Sequence, residues 1–212
     1  MNLVKLTIGT LLVSIGLFSF IKMEEQMIDK RDFQQLNVAY FASGCFWCVE
    51  SIFESIKGVE EVISGYSGGK TKNPTYQEIS TGKTGHAETV AVYYNPNKVS
   101  FQTLVDVFFG SHDPTTVNGQ YPDFGTQYRS IAFYQSEEEK NMIVNAINIL
   151  NKEKYEGKIV TEVTAFKKFY KAEDYHQNFK CLNPNNPYVK KISVPRFNKF
   201  KDNFPDLIND KH

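Results

Sequence analysis

Val38-Ala39-Tyr40-Phe41-Ala42-Ser43-Gly44-Cys45-Phe46-Trp47-Cys48-Val49-Glu50 is the run whose reading decides the fold, because one element hands over to another inside it. Residues 38–42 read as an extended strand, and Ser43-Gly44 breaks it. Phe46, Val49, Phe53 and Ile56 then recur at helical spacing. A strand that turns at once into a helix leaves Cys45 beside backbone N–H groups that lack intrahelical partners, surroundings that stabilise a thiolate. The competing reading makes Cys45 a small buried apolar residue, which free cysteine commonly is. Cys-Phe-Trp-Cys at a helix start favours reactivity over packing.

The rest of the chain narrows the chemistry. Its 212 residues suit one domain with extensions, and Lys plus Arg balance Asp plus Glu at 24 each. No bulk basic field exists to attract nucleic acid, so a small group or side chain is the expected partner. Three cysteines are too few for a disulfide framework and have no four-ligand zinc spacing, which leaves redox chemistry as their best use.

Residues 1–21 stand apart. Leu6 to Ile21 is almost wholly apolar, preceded by Lys5 and followed by Lys22-Met23-Glu24-Glu25. That is a hydrophobic anchor or signal segment, and Phe18-Ser19-Phe20 stands where a small-residue cleavage pattern belongs. The segment predicts export or attachment at the cell envelope, against a cytoplasmic alternative. Residues 22–36 are charged and polar and read as a linker.

Downstream, residues 58–66 predict a second strand and Asn73-Pro74-Thr75-Tyr76 opens a short helical segment. Gly85-His86-Ala87-Glu88 leads a strand that runs to Tyr94. Ser100 caps a helix carrying Phe101, Leu104, Val105 and Phe108 on one face. Residues 111–126 are loop-like, and 128–134 predict a strand. Ser136 with Glu139 forms a capping box before a helix striped by Ile143, Ala146, Ile147 and Leu150. Ile159 to Phe166 reads as a strand, and a short helix from Ala172 reaches Cys181. Aromatics at irregular spacing in the tail, Tyr188, Phe197, Phe200 and Phe204, predict a coil-rich wrap with helical turns. The uneven interleaving indicates an α+β domain with a mixed sheet and packed helices.

Separated stretches carry a resemblance: Gly44-Cys45-Phe46-Trp47, Gly85-His86-Ala87-Glu88, Gly125-Thr126-Gln127-Tyr128-Arg129-Ser130 and Tyr175-His176-Gln177. In order and rough spacing they resemble the A-type peptide methionine sulfoxide reductases, over a span from about Val38 to about Pro187. The resemblance implies a two-layer sandwich with a ferredoxin-like core over residues 37–187, followed by a tail over 188–212. It also implies repair of methionine-S-sulfoxide, free or in proteins, by a monomer with no metal or organic cofactor. By it Cys45 is the nucleophile, Phe46 and Trp47 wall a pocket for the substrate methyl group, and Glu88 is the acid. Tyr76 and Tyr128 supply phenols, and Asp123 stands at a site carboxylate; Glu50, His86 and His176 are kept as structural.

The chemistry gives each role a reason. A sulfoxide loses its oxygen poorly unless that oxygen is protonated, which a carboxylic acid in an apolar setting can do near neutral pH. Neutral phenols can donate to the same oxygen. Attack by a thiol then leaves a sulfenic acid. The chain departs from the usual pattern in having no cysteine after Cys181, so Cys48 is the expected resolving thiol, with Cys181 as the alternative, before thioredoxin or a similar dithiol restores the enzyme. Two other readings are a general Cys-x-x-Cys thiol–disulfide oxidoreductase and an anchored aromatic-rich binding module.

Overall fold

Strand β1 (Asn37–Ser43) runs into helix α1 (Phe46–Glu54), with Gly44 at φ +90° making the corner. A Cβ at that glycine would come within 2.7 Å of the Gln120 side chain, so both the backbone sign and the close approach call for glycine. The computed structural model describes residues 35–209; the Leu6–Ile21 segment and nearly all of the 22–36 linker lie outside them. Among the described residues no helix is long and apolar enough to cross a membrane.

After α1 come β2 (Val59–Ser67), α2 (Tyr76–Ser80), β3 (Ala87–Tyr94) and α3 (Phe101–Gly110). The 111–126 loop holds a small hairpin, β4 (Gly119–Gln120) with β5 (Asp123–Phe124). Then follow β6 (Ser130–Tyr134), α4 (Glu137–Leu150), β7 (Glu162–Ala165), β8 (Phe169–Lys171), α5 (Phe179–Leu182) and α6 (Val194–Asn203). Local caps start the helices. Thr75 and Glu78 close a reciprocal capping box on α2, and the Ser100 hydroxyl accepts the Thr103 N–H on α3. At α4 the Ser136 hydroxyl accepts the Glu139 N–H, but the Glu139 carboxylate reaches back to the Gln135 N–H, one residue short of the predicted partner.

The main sheet has the order β7-β6-β1-β3-β2-β8, antiparallel throughout except for the parallel β6/β7 pair. Its inner four strands, β6-β1-β3-β2, with α1 and α3 as crossovers, are the ferredoxin-like α+β arrangement. Both helices cover one face. Phe41 of β1 stacks on Phe53 of α1 at 5.2 Å and on Phe108 of α3 at 5.1 Å, fully buried, a burial worth about 1.5–3 kcal/mol per such side chain. The period of two sends Tyr40 and Ala42 to the other face, where Tyr40 stacks on Phe166 at 3.7 Å.

Two features differ from the sequence expectation. Strand β8 has no periodic signal in its three residues and exists by pairing with the edge of β2. The tail is more helical than the coil-rich wrap with helical turns that was expected: Val189–Ser193 forms a π-helical turn that continues into α6. Val189, Ser193, Phe197 and Phe200 fall on one buried face at spacings of four and three, and Pro195 is tolerated because it stands in the first turn of α6. The aromatics alone look irregular because a valine and a serine complete the stripe.

Candidate active site

The entrance of α1 holds two side chains from different strands. Cys45 is its N-cap, and the first N–H of the helix, on Phe46, donates to the Glu88 carboxylate at 3.0 Å. Register puts Glu88 there: Phe41 faces Val90 across β1/β3, so the leading end of β3 arrives beside the corner where β1 becomes α1. The Cys45 side chain takes no capping hydrogen bond. The helix start therefore binds the carboxyl group, not the sulfur as the opening stretch suggests.

Glu88 is 2% exposed, and burial pushes its pKa up to about 8, with the Asp123 and Cys48 charges adding to the effect and the Phe46 N–H opposing it. It is thus a carboxylic acid at neutral pH, with one oxygen accepting from the backbone and the other free to carry a proton. Tyr76 starts α2, and Tyr128 ends the 3₁₀ turn Thr126–Tyr128. Burial, and next the Glu88 charge, raise both phenols, and Cys45 adds to each, so they stay neutral donors around the same point. Asp123, on β5, is raised by burial and accepts the hydroxyl of Tyr188.

Cys45 at the N-cap and Cys48 three residues on are buried free thiols that titrate as an interacting pair. Interaction with the Cys45 thiol is the first cause that lowers Cys48, to about 6 against its burial, followed by the Arg196 charge and the Ser193 hydroxyl. The Ser193 Oγ lies 3.1 Å from the Cys48 sulfur. Cys45 is pushed well above the usual thiol range, chiefly by burial and then by its interaction with Cys48 and by the Glu88 charge. The opening stretch suggests an anion at Cys45; burial works against one there, while Ser193 and Arg196 of the C-terminal segment act on Cys48.

Trp47 is clamped from three sides. Its Nε1–H donates to His176 Nδ1 at 3.1 Å, its face stacks on Phe179 at 3.6 Å, and Tyr188 meets it edge-on. Phe46 is fully buried, with its ring 4.9 Å from His176. Cys181 is exposed on α5, in a separate 200 Å³ pocket lined by Trp47, Glu50 and Glu54, and is not brought to Cys45. His86 clamps a loop, accepting from the Gly69 N–H at 3.1 Å and contacting the Thr71 carbonyl at 2.8 Å. Glu50 accepts the Asn178 N–H at 3.0 Å, with burial raising its pKa to about 8.

Cys45, Glu88, Tyr76, Tyr128, Asp123 and Cys48 are thus one electrostatic cluster, with Phe46 and Trp47 beside it. Sequence reasoning missed Tyr188, Ser193 and Arg196. Tyr188 had a weak signal, an aromatic directly after Pro187 in an unpatterned segment; the other two had none.

Residues 37–207 match the family described as peptide methionine sulfoxide reductase. A curated relative, the peptide methionine sulfoxide reductase MsrA of Sulfolobus acidocaldarius, is 47% identical over 81% of this chain and 97% of its own length. Mxr1 from Saccharomyces cerevisiae in reduced form superposes with a TM-score of 0.68 at 33% identity, covering 72% of this chain and 88% of that one. The same yeast protein in complex with Trx2 gives a TM-score of 0.50 at 26% identity, covering 69% and 86%.

Proposed function

The chain belongs to the peptide methionine sulfoxide reductase family, and from that premise we propose the cycle by which its buried cluster reduces the S epimer of methionine sulfoxide with thiols as the electron source. The observation that carries the reading is the bridge from Glu88 through the Phe46 N–H to the helix start that Cys45 caps. Substrate sits with its methyl group against Phe46 and Trp47. Glu88 protonates the sulfoxide oxygen, and Tyr76 and Tyr128 donate to it as the S–O bond weakens. Cys45 passes its proton to the Cys48 thiolate and attacks the substrate sulfur. The hydroxyl transfers to Cys45 as methionine leaves, so the substrate is reduced by two electrons and Cys45 becomes a sulfenic acid.

Cys48 then attacks the Cys45 sulfur, releasing water and forming a disulfide between them. A thioredoxin dithiol reduces that disulfide, a step for which the yeast relative's complex with Trx2 is the support. Asp123 and Tyr188 act as a unit that holds the tail against the site. The general thiol–disulfide oxidoreductase reading is not favoured, since the family match spans the domain and not the Cys-x-x-Cys alone.

The test is a pH profile of single-turnover reduction on separated epimers. Cys48 must be anionic, which fails as pH falls through about 6, and Glu88 must be protonated, which fails as pH rises through about 8. A plateau between those values for the S epimer, with the R epimer left unreacted, is expected. Glu88→Gln should flatten the alkaline limb and lower the plateau about 10²-fold. An alkaline limb that survives Glu88→Gln would assign it to another group.

The apolar segment Leu6–Ile21 supports attachment at the cell envelope for this chain. Full-length protein is expected in the membrane fraction and a version lacking residues 1–21 in the soluble one; equal partition of both would remove the idea.

A further inference from the structure

A second cavity, of about 660 Å³, opens beside the catalytic cluster between the end of α3, the β4/β5 hairpin and the C-terminal helix. Lys154, Lys191, Arg196 and Lys199 line it against a single carboxylate, Asp113, in a chain whose total charge is zero. Asp113 is occupied by the Thr115 N–H and hydroxyl. Arg196 donates to the Ser111 and Ser43 carbonyls, and its charge also acts on Cys48 and Asp123, so the three lysines carry the cavity's excess charge. Among the described residues none of the three lysines makes an ion pair. A concave surface with like charges concentrated on it draws in the opposite sign.

Two residues place the cavity next to the reaction site. Gln120 lines it and is the hairpin partner of Asp123 in the catalytic cluster. Arg196 lines it and lies against Gly44, next to Cys45. The hairpin turn that lines the cavity presents Tyr121, 82% exposed, with Val117 and Phe124 exposed on the same loop, an apolar ridge of the kind that marks a protein-binding surface.

We propose that this cleft is a subsite for the polypeptide that carries the methionine sulfoxide, which crosses the Tyr121 ridge and places acidic side chains near the oxidised residue among Lys154, Lys191 and Lys199. The proposal rests on the reading that the Cys45–Glu88 cluster reduces methionine sulfoxide, and adds to it a preference among protein substrates. Exposed charge pairs are individually weak and sensitive to salt, so the preference should come from several together and fade at high ionic strength.

The experiment compares short peptides with one methionine S-sulfoxide flanked by Glu or by Gln on either side, and N-acetyl-methionine sulfoxide as the flank-free substrate. With the wild-type chain at low ionic strength, a Glu-flanked peptide should have a kcat/KM about tenfold above its Gln twin, through KM. The triple variant Lys154→Glu, Lys191→Glu, Lys199→Glu should erase or invert that ratio and leave N-acetyl-methionine sulfoxide turnover unchanged. Equal rates for Glu and Gln peptides with wild type, or a ratio that persists in the triple variant, would overturn the proposal. So would a triple variant in which only the KM for thioredoxin rises, which would assign the cleft to the reductant. Failure of wild type to reduce N-acetyl-methionine sulfoxide would instead strike the catalytic reading beneath it.

Discussion

Cys45→Ser yields no methionine from either sulfoxide epimer in a single-turnover assay, whereas the wild-type chain forms one equivalent. The loss is expected to be complete because the oxygen must end on a sulfur that can give up two electrons, and a serine hydroxyl has no such oxidation state to reach. The variant is also a discriminating one here. Cys48 remains in place beside Ser193 and Arg196, although the Cys45 interaction that contributes most to its low pKa is lost in this variant. Were the more acidic thiol the nucleophile, Cys45→Ser would still form its one equivalent, and the roles of the two cysteines would have to be exchanged. Acidity alone does not choose between them. A thiol of low pKa is also a weaker nucleophile, and Glu88 is tied by the Phe46 N–H to the helix start that Cys45 caps.

Cys48→Ser, supplied with thioredoxin, is expected to release about one equivalent of methionine and then stop, while a small dithiol that can reach the Cys45 sulfenic acid sustains turnover. The effect on thioredoxin-driven cycling is nearly total, because the other thiol in the domain, Cys181, lies exposed in a separate pocket beyond the Trp47–Phe179 stack. Cys181→Ser should accordingly cycle like wild type. The first turnover of Cys48→Ser should also be slowed, since the acceptor for the Cys45 proton is gone. Detection of a Cys45–Cys48 disulfide by mass spectrometry after one turnover gives an independent measure. Sustained thioredoxin-driven turnover by Cys48→Ser would remove the resolving role, and sustained turnover lost in Cys181→Ser would transfer it.

Both predictions depend on the C-terminal helix, and this helix was the least legible part of the chain. In the tail the eye finds Tyr188, Phe197, Phe200 and Phe204 and no period, because Val189 and Ser193 complete the buried stripe. Ser193 then meets Cys48 across a separation of 145 residues, a contact that no local pattern encodes. Strand β8 was hidden for a related reason, being a pairing with the β2 edge and not a propensity of its three residues. Helix starts were clear by comparison: Thr75, Ser100 and Ser136 cap as their side chains predict, since a cap is a contact within four residues.

From the sequence alone came the strand-to-helix corner at Gly44, the cysteine pair Cys45 and Cys48 within it, the mixed α+β class and the family resemblance that joined Tyr76, Glu88, Asp123 and Tyr128 to that corner. These are legible because motif order and local periodicity are one-dimensional properties. What only the tertiary structure decided is the setting of the site's protons: burial raises Glu88 and Cys45, and the surroundings of Cys48 lower it. Such a state is set by burial and by whichever charges and hydroxyls lie a few ångströms away, and here those of Arg196, Ser193 and Tyr188 arrive from the far end of the chain.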